Sequence, residues 1–340
     1  MPGKEAVNRK ILSAAIIVVI IFFLGGFVIF YFPNSFEPSS KIITVSKGES
    51  FNAVAESLKA NNIIFSSTTF KIAGRILGTT HSLRVGKYQF TSGASNMDIL
   101  EDMGNGFSTI NSKVTVLEGL RYRQITKILR KEIGIDTAKF NSFFRDTSLI
   151  GIYPNHAKSL EGYLMPDTYE FYWQDDEDNV LKRMVSEFRE FFVDSLQRRM
   201  KQMNMTLNEV MTMASIVEGE ALYDDERPII AGVYYNRLKK RMRLQADPTV
   251  LYAVSDHSRR LLKNDLTVSS PYNTYLHYGL PPGPINNPGR KSIIAALYPA
   301  IHNYLYFVSD ANGRHRFSKN YEEHRKNVHL YRKARAAQNG

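Results

Sequence analysis

The run Leu207 to Glu220 follows Thr206, and Thr206 with Glu209 has the spacing of a capping box that opens a helix. Stepping round that helix at ~100° per residue puts Leu207, Met211, Ala214, Glu218, Ala221 and Leu222 on one face. Glu209 and Glu220 fall nearly opposite, where solvated charges belong. Glu218 therefore stands inside an apolar stripe. Burial disfavours the charged form of a carboxylate, so its pKa is expected to rise. Such a Glu suits a general acid that protonates a glycosidic oxygen. A structural Glu held by an arginine such as Arg237 fits the same pattern.

Glu218 and Glu220 do not make a catalytic pair, because two helical residues diverge by ~200°. A hydrolase that activates water or forms a glycosyl-enzyme needs a second carboxylate ~5–9.5 Å away. Asp224, Asp225, Glu226, Asp247 and Asp265 are the candidates. Each has a plainer role: Asp247-Pro248 reads as a helix start, and Asp224 to Glu226 as the acidic approach to one. Gly219 weakens the helix and is read as loosening it for close substrate approach. Downstream, Ser270 to Gly289 is rich in Pro, Gly, Asn and Tyr. It predicts an ordered, non-helical loop suited to a sugar groove, with Asn287-Pro288 as a helix cap.

Other chemistries find no support. The chain has no cysteine, which removes thiol nucleophiles, disulfides and thiolate metal sites. Its eight histidines form no HExxH and no close i,i+4 pair, so no metal site is expected. Gly289-Arg-Lys-Ser292 lacks the rest of a phosphate-binding loop, and no GxSxG elbow is present. No cofactor is expected. Lys and Arg number 44 against 33 Asp and Glu, a net +11 over 340 residues, which suits a polyanionic partner.

The elements that carry these residues start with an uncharged run, Ile11 to Phe32, long enough to span a bilayer. It lacks a small-residue cleavage site and reads as an uncleaved anchor. Lys4, Arg9 and Lys10 against Glu5 keep residues 1–10 in the cytoplasm. The rest then faces the periplasm or exterior, beside anionic lipid and acidic wall polymer, and nucleic acid is not a partner. Residues 33–41 are a linker. Strand Ile42–Val45, helix Asn52–Ala60 capped by Ser50, a helix over 68–77 and strand Val85–Phe90 follow in the order βααβ. Helices over 96–103 and 121–132 flank a strand at Val114–Leu117. Near the end, Tyr304–Val308 and Arg314–Ser318 form a hairpin around Asn312-Gly313. A basic helix from Asn320 to Ala337 is read as a solvated face or a contact for anionic headgroups.

The run TVSKGESFNAVAESL resembles the opening of the LysM fold, a small glycan-binding module. ASIVEGEA around Glu218, YYNRL from Tyr234, MRLQADPTVLYA from Met242, SPYNTYLHYGLPPGPINNPG from Ser270, YLYFVSD from Tyr304 and EGYLMPDTYEF from Glu161 together resemble the endolytic murein transglycosylases, the MltG or YceG-like family. The resemblance covers about residues 40–325. It implies an α+β fold: a single transmembrane helix (11–32), a LysM-like βααβ module with a connecting helix (42–112) and a helix-rich catalytic domain with small β elements (113–340). It implies a lytic cut of the MurNAc-β-1,4-GlcNAc bond within nascent peptidoglycan strands, leaving 1,6-anhydroMurNAc ends. Glu218 would be the single acid/base, so no second carboxylate is needed. Asn236, Arg237, Gln245, Tyr272, Asn273, Thr274 and Tyr275 would bind the strand. Partners would be glycan strands, membrane lipid and peptidoglycan synthases. The rival readings are a water-using glycoside hydrolase and a non-catalytic wall-binding scaffold.

Overall fold

The structure, a computed structural model, describes residues 2–34, 40–91, 93–106, 109–254, 259–310 and 312–338. The side chains of 2–8, 10 and 338 are outside that description, and with them the basic flank of Lys4, Glu5 and Lys10. Residues 35–39 of the expected linker are also outside it. The elements in order are α1 (Pro2–Phe30), β1 (Ser40–Val45), α2 (Phe51–Ala60), α3 (Ser67–Ile76), β2 (Gly86–Thr91), α4 (Asn96–Asn105), β3 (Ser112–Thr115), α5 (Tyr122–Ile133), α6 (Thr137–Ser142), β4 (Thr168–Phe171), α7 (Glu177–Phe191), α8 (Asp194–Gln202), α9 (Leu207–Glu220), α10 (Arg227–Lys239), α11 (Asp247–Val254), α12 (Arg290–Leu297), β5 (Tyr306–Ser309), β6 (His315–Ser318) and α13 (Tyr321–Gln338). The sheets are three two-stranded pairs, β1–β2, β3–β4 and β5–β6, among the described residues. The class is α+β, as expected.

The chain forms two compact units, residues 1–112 with 170–175, and 113–169 with 176–340. In the first, Ser50 Oγ accepts the Ala53 N–H and starts α2, whose Val54, Ala55 and Leu58 face inward at helical spacing. The strands β1 and β2 pair antiparallel, with Ile43 opposite Tyr88 and Val45 opposite Gly86. Their inner side chains join Phe70 and Ala73 of α3 and Ile99, Leu100 and Met103 of α4 in one core. The apolar stretch Ile11–Phe30 of α1 is long and apolar enough to cross a membrane, and none of it is buried by that measure. Its last turn is tied down, because Ile29 and Phe30 pack against the core and Asn96 Nδ2 donates to Ile29 O (2.7 Å). Beyond it, Asn34 Nδ2 donates to Ala94 O and Asn34 Oδ1 accepts the Phe65 N–H. The described start of the expected linker is therefore docked.

In the second unit α9 is enclosed, with every residue from Val210 to Val217 buried. It packs against α12, α10 and α11. A helix apolar on all sides is a central one, so the one-stripe reading of this sequence understates its burial. Gly219 has a packing reason: a Cβ there would lie 2.8 Å from Pro248 Cβ, at the start of α11. The glycine admits a neighbouring helix, and α9 continues through it to Glu220.

Asn287 is not the cap of α12; Gly289 holds that position. The Asn287 side chain is fully buried. Its Oδ1 accepts the N–H groups of Gly162 (2.9 Å) and Leu164 (3.0 Å). Its Nδ2 donates to Leu120 O (2.9 Å) and Glu161 Oε1 (3.1 Å). An amide has two donors and two acceptor sites, and all are used here. Three segments remote in sequence are thereby joined. Replacing Asn287 by Ala strands the two buried N–H donors of Gly162 and Leu164, while Leu120 O keeps the backbone N–H of residue 287. Urea denaturation is expected to show a loss of at least about 2 kcal/mol; a loss within a few tenths would show that the amide is not the joint.

Candidate active site

The enclosed helix α9 ends with its two glutamates in different surroundings. The Glu218 side chain is 6% exposed, with Oε1 3.1 Å from Arg227 Nη1. Its Oε2 accepts the Gly289 N–H (2.9 Å) at the start of α12. The arginine that holds Glu218 is thus Arg227 and not Arg237. Arg227 opens α10 and also pairs through Nε with Asp224 Oδ1 (3.1 Å). Its Nη2 lies 3.8 Å from Glu118 Oε2.

Glu118 is the residue that sequence reading did not single out. It precedes Gly119, whose positive φ of +77° makes the turn after β3. A Cβ on Gly289 would fall 1.9 Å from Glu118 Oε1, so the carboxyl lies directly over that glycine. Partial burial first, and then the charge of Glu218, raise the Glu118 pKa above the ordinary carboxylate value. Three carboxyls around one guanidinium, those of Glu218, Asp224 and Glu118, with a backbone amide at hand, make an arrangement that can hold and move a proton. The available signal was a Glu-Gly turn at the end of a strand.

Of the five expected second carboxylates, Asp224 shares Arg227 with Glu218, and the other four are engaged elsewhere. Asp224 pairs with Arg227 and Lys291, and Asp225 with Arg314 (2.8 Å). Glu226 is buried and accepts the His315 N–H (3.0 Å). Asp265 pairs with Arg259. Asp247 opens α11 and accepts the Tyr275 hydroxyl (2.6 Å).

Glu220 departs from the expectation of a solvated charge. Its Oε1 accepts the Tyr234 hydroxyl (2.8 Å). Burial pushes its carboxyl up to about 7. It lines a cleft of about 290 Å³ with Arg237, Gln245, Asp247, Tyr275 and Tyr306. Three of the expected strand-binding residues, Arg237, Gln245 and Tyr275, therefore meet around Glu220. Gln245 is exposed and takes a positive φ of +47°, a conformation that a non-glycine residue holds only under constraint. Its N–H donates to Thr274 O (3.1 Å).

The other expected binders, Asn236, Tyr272, Asn273 and Thr274, do not line this cleft. Asn236 Nδ2 donates to His302 O and Tyr304 O. Asn273 is fully buried, with Nδ2 on Leu266 O and Val268 O and Oδ1 on the Tyr275 N–H. Thr274 Oγ1 accepts the Ala246 N–H (2.9 Å). Tyr272 packs its ring 4.8 Å from that of Tyr252. Arg237 is held as well, donating to Leu305 O and Leu244 O, both at 2.6 Å.

Glu161 supports the same region from below. It is 4% exposed and accepts the Tyr122 N–H (2.9 Å) as well as the Asn287 amide. Burial pushes its pKa from 4.5 up to about 7. The folded chain thus keeps a proton in this window that the unfolded chain releases, so this contribution to stability falls as pH rises from about 4.5 to about 7. Glu161→Gln keeps the acceptor oxygen and removes the titration. It is expected to melt higher than the wild type at pH 8 and alike at pH 4.5. A variant that melts lower at pH 8 would show that Glu161 is needed as an anion.

The model of the YceG-like family matches residues 43–330. A protein of Bacillus subtilis (strain 168) named endolytic murein transglycosylase is 36% identical over 304 residues, covering 85% of this chain and 84% of that protein. A protein of the same name from Streptococcus pneumoniae serotype 2 is 27% identical over 326 residues, and the chain spans 58% of its length. The crystal structure of a YceG-like protein from Listeria monocytogenes is 32% identical, with a TM-score of 0.61, covering 84% of this chain and 98% of that one.

Proposed function

The chain belongs to the YceG-like family, and from that premise we propose that it is a membrane-anchored endolytic transglycosylase of peptidoglycan with Glu218 as its acid/base. The observation that carries the reading is the Glu218–Arg227–Glu118 group beside the Gly289 amide. The relatives named endolytic murein transglycosylase support the substrate class.

The bond cut is the MurNAc-β-1,4-GlcNAc linkage within a strand. Glu218 gives its proton to the glycosidic oxygen as the C1–O4 bond breaks. It then takes the proton of the same MurNAc residue's C6 hydroxyl as that oxygen bonds to C1. The strand leaves with a 1,6-anhydro end, no water is consumed, and Glu218 returns to its starting form. Intramolecular attack gains from proximity. Arg227 and the Gly289 N–H steady the carboxylate between the two proton transfers. Asn236, Arg237, Gln245, Asn273, Thr274 and the two tyrosines, Tyr272 and Tyr275, shape the groove.

The helix α1 is the anchor, with its N-terminus in the cytoplasm and the rest outside. The βααβ unit acts as a LysM-like glycan module. Its cavity of about 490 Å³, between the turn at Gly48–Asn52 and the segment around His81, suits a sugar. Nascent strands beside the membrane are the substrate, which sets strand length, and peptidoglycan synthases are the partners.

A second reading makes Glu220 the acid, favoured by the burial that keeps its carboxyl near 7 in an open cleft. Digests of purified glycan strands, read by mass spectrometry, separate the two. Wild type is expected to yield 1,6-anhydro ends, and Glu218→Gln to lose about 10²–10⁴-fold in rate at unchanged melting temperature. Loss confined to Glu220→Gln would move the acid to Glu220. Reducing ends in place of anhydro ends would make the enzyme a water-using hydrolase. Absence of any cleavage by wild type would leave a wall-binding scaffold.

A further inference from the structure

A second cavity in the larger unit, of about 880 Å³, is lined by Arg121, Arg123, Lys127, Arg130 and Arg145. Glu161 is the one acid among the described residues of its wall. That carboxyl already accepts the Tyr122 N–H and the Asn287 amide. The cavity is therefore strongly cationic. Arg123, Lys127 and Arg130 stand at i, i+4 and i+7 on the exposed side of α5, while Tyr122, Ile125, Leu129 and Ile133 fill the buried side. Like charges at i, i+4 repel by a few tenths of a kcal/mol per pair. Together these three side chains give α5 a cationic face.

We infer that this cavity holds the carboxylates of the peptide branch carried by the glycan strand, so that the enzyme selects peptide-bearing over bare glycan. The inference rests on the transglycosylase reading above. Its position supports it. Arg121 is three residues after Glu118, so their Cα atoms lie within about 11 Å. A branch of four or five residues reaches about 13–18 Å, enough to run from a sugar at Glu218 into the cavity. Leu120, between the two, accepts both the backbone N–H and the side-chain amide of Asn287. The wall is also shared with the expected groove: the Arg121 guanidinium stacks on Tyr252 (5.1 Å), and Tyr252 packs on Tyr272 (4.8 Å).

The shape separates a peptide from a polymer. A concave site of this size fits a short ligand, whereas a phosphate polymer calls for an open groove. Guanidinium groups spread around an aromatic wall suit several separate carboxylates, each met side-on by an arginine fork.

The test uses the full chain in detergent micelles and the disaccharide GlcNAc-MurNAc, which lacks the bond proposed to be cut, with and without its peptide. Calorimetry is expected to give at least about ten-fold tighter binding of the peptide-bearing form, weakening with added salt. The triple variant Arg123→Gln, Lys127→Gln, Arg130→Gln is expected to bring the ratio of the two affinities close to one with the melting temperature unchanged. Arg145→Glu, on a different element, is expected to shrink the same ratio. Equal wild-type affinity for both forms would overturn the inference, as would a triple variant that keeps the ratio. Preference for poly(glycerol phosphate) over the peptide-bearing sugar would assign the cavity to wall polymer instead. Because no bond is cut in this measurement, its outcome is read separately from the digest that tests the acid/base.

Discussion

The buried amide of Asn287 is the joint on which the larger unit depends. It fixes the turn at Glu118–Leu120, the segment Glu161–Leu164 and the approach to α12 to one another. Glu118 reaches its place over Gly289 because Leu120 is held, and Gly289 presents its N–H to Glu218 because it lies two residues beyond Asn287. A charged side chain in this position would be costly to bury, and an apolar one would leave two peptide N–H groups unmet. An amide meets both requirements, since it donates and accepts without a charge.

Around that joint, α9 works as a central axle. The step of ~100° per residue turns Glu218 and Glu220 to different sides of the same helix end. Glu218 meets a guanidinium and a peptide N–H, two donors that fix both of its carboxyl oxygens. Glu220 meets the Tyr234 phenol, and burial pushes its carboxyl up to about 7. Placing both on one rigid, fully packed element keeps them in register, because neither can move without repacking the core.

Local signals in the sequence were dependable. The Thr206–Glu209 capping box, Ser50 as the cap of α2, and the hairpin of β5 and β6 each depend on residues within a few positions. What the sequence concealed was set by distance along the chain. Glu118 lies 100 residues before Glu218, and no periodicity links them. Glu220 reads as a solvated charge until Tyr234 of α10 and the tyrosines of the C-terminal elements close over it. The sequence reading offered Arg237 as a holder of Glu218, and only the placement of α10 decides that Arg227 reaches it instead. The polar residues of the loop at Ser270–Gly289 were read as facing a ligand. In an irregular segment without a ladder, backbone groups still need partners, and Asn273 and Thr274 supply them.

The apolar helix α1 follows the same logic of fixed joints. A helix followed by a Pro-Ser-rich stretch reads as a tether, which would let the first unit swing. Instead, Ile29 and Phe30 share the core of that unit, and Asn96 holds the Ile29 carbonyl that the end of α1 leaves unpaired. With α1 in a bilayer, the direction of its axis then sets the direction of β1, β2 and the helices between them. Reorienting the unit costs the exposure of those two side chains and that carbonyl, and the loss of the Asn34 bonds to Ala94 and Phe65.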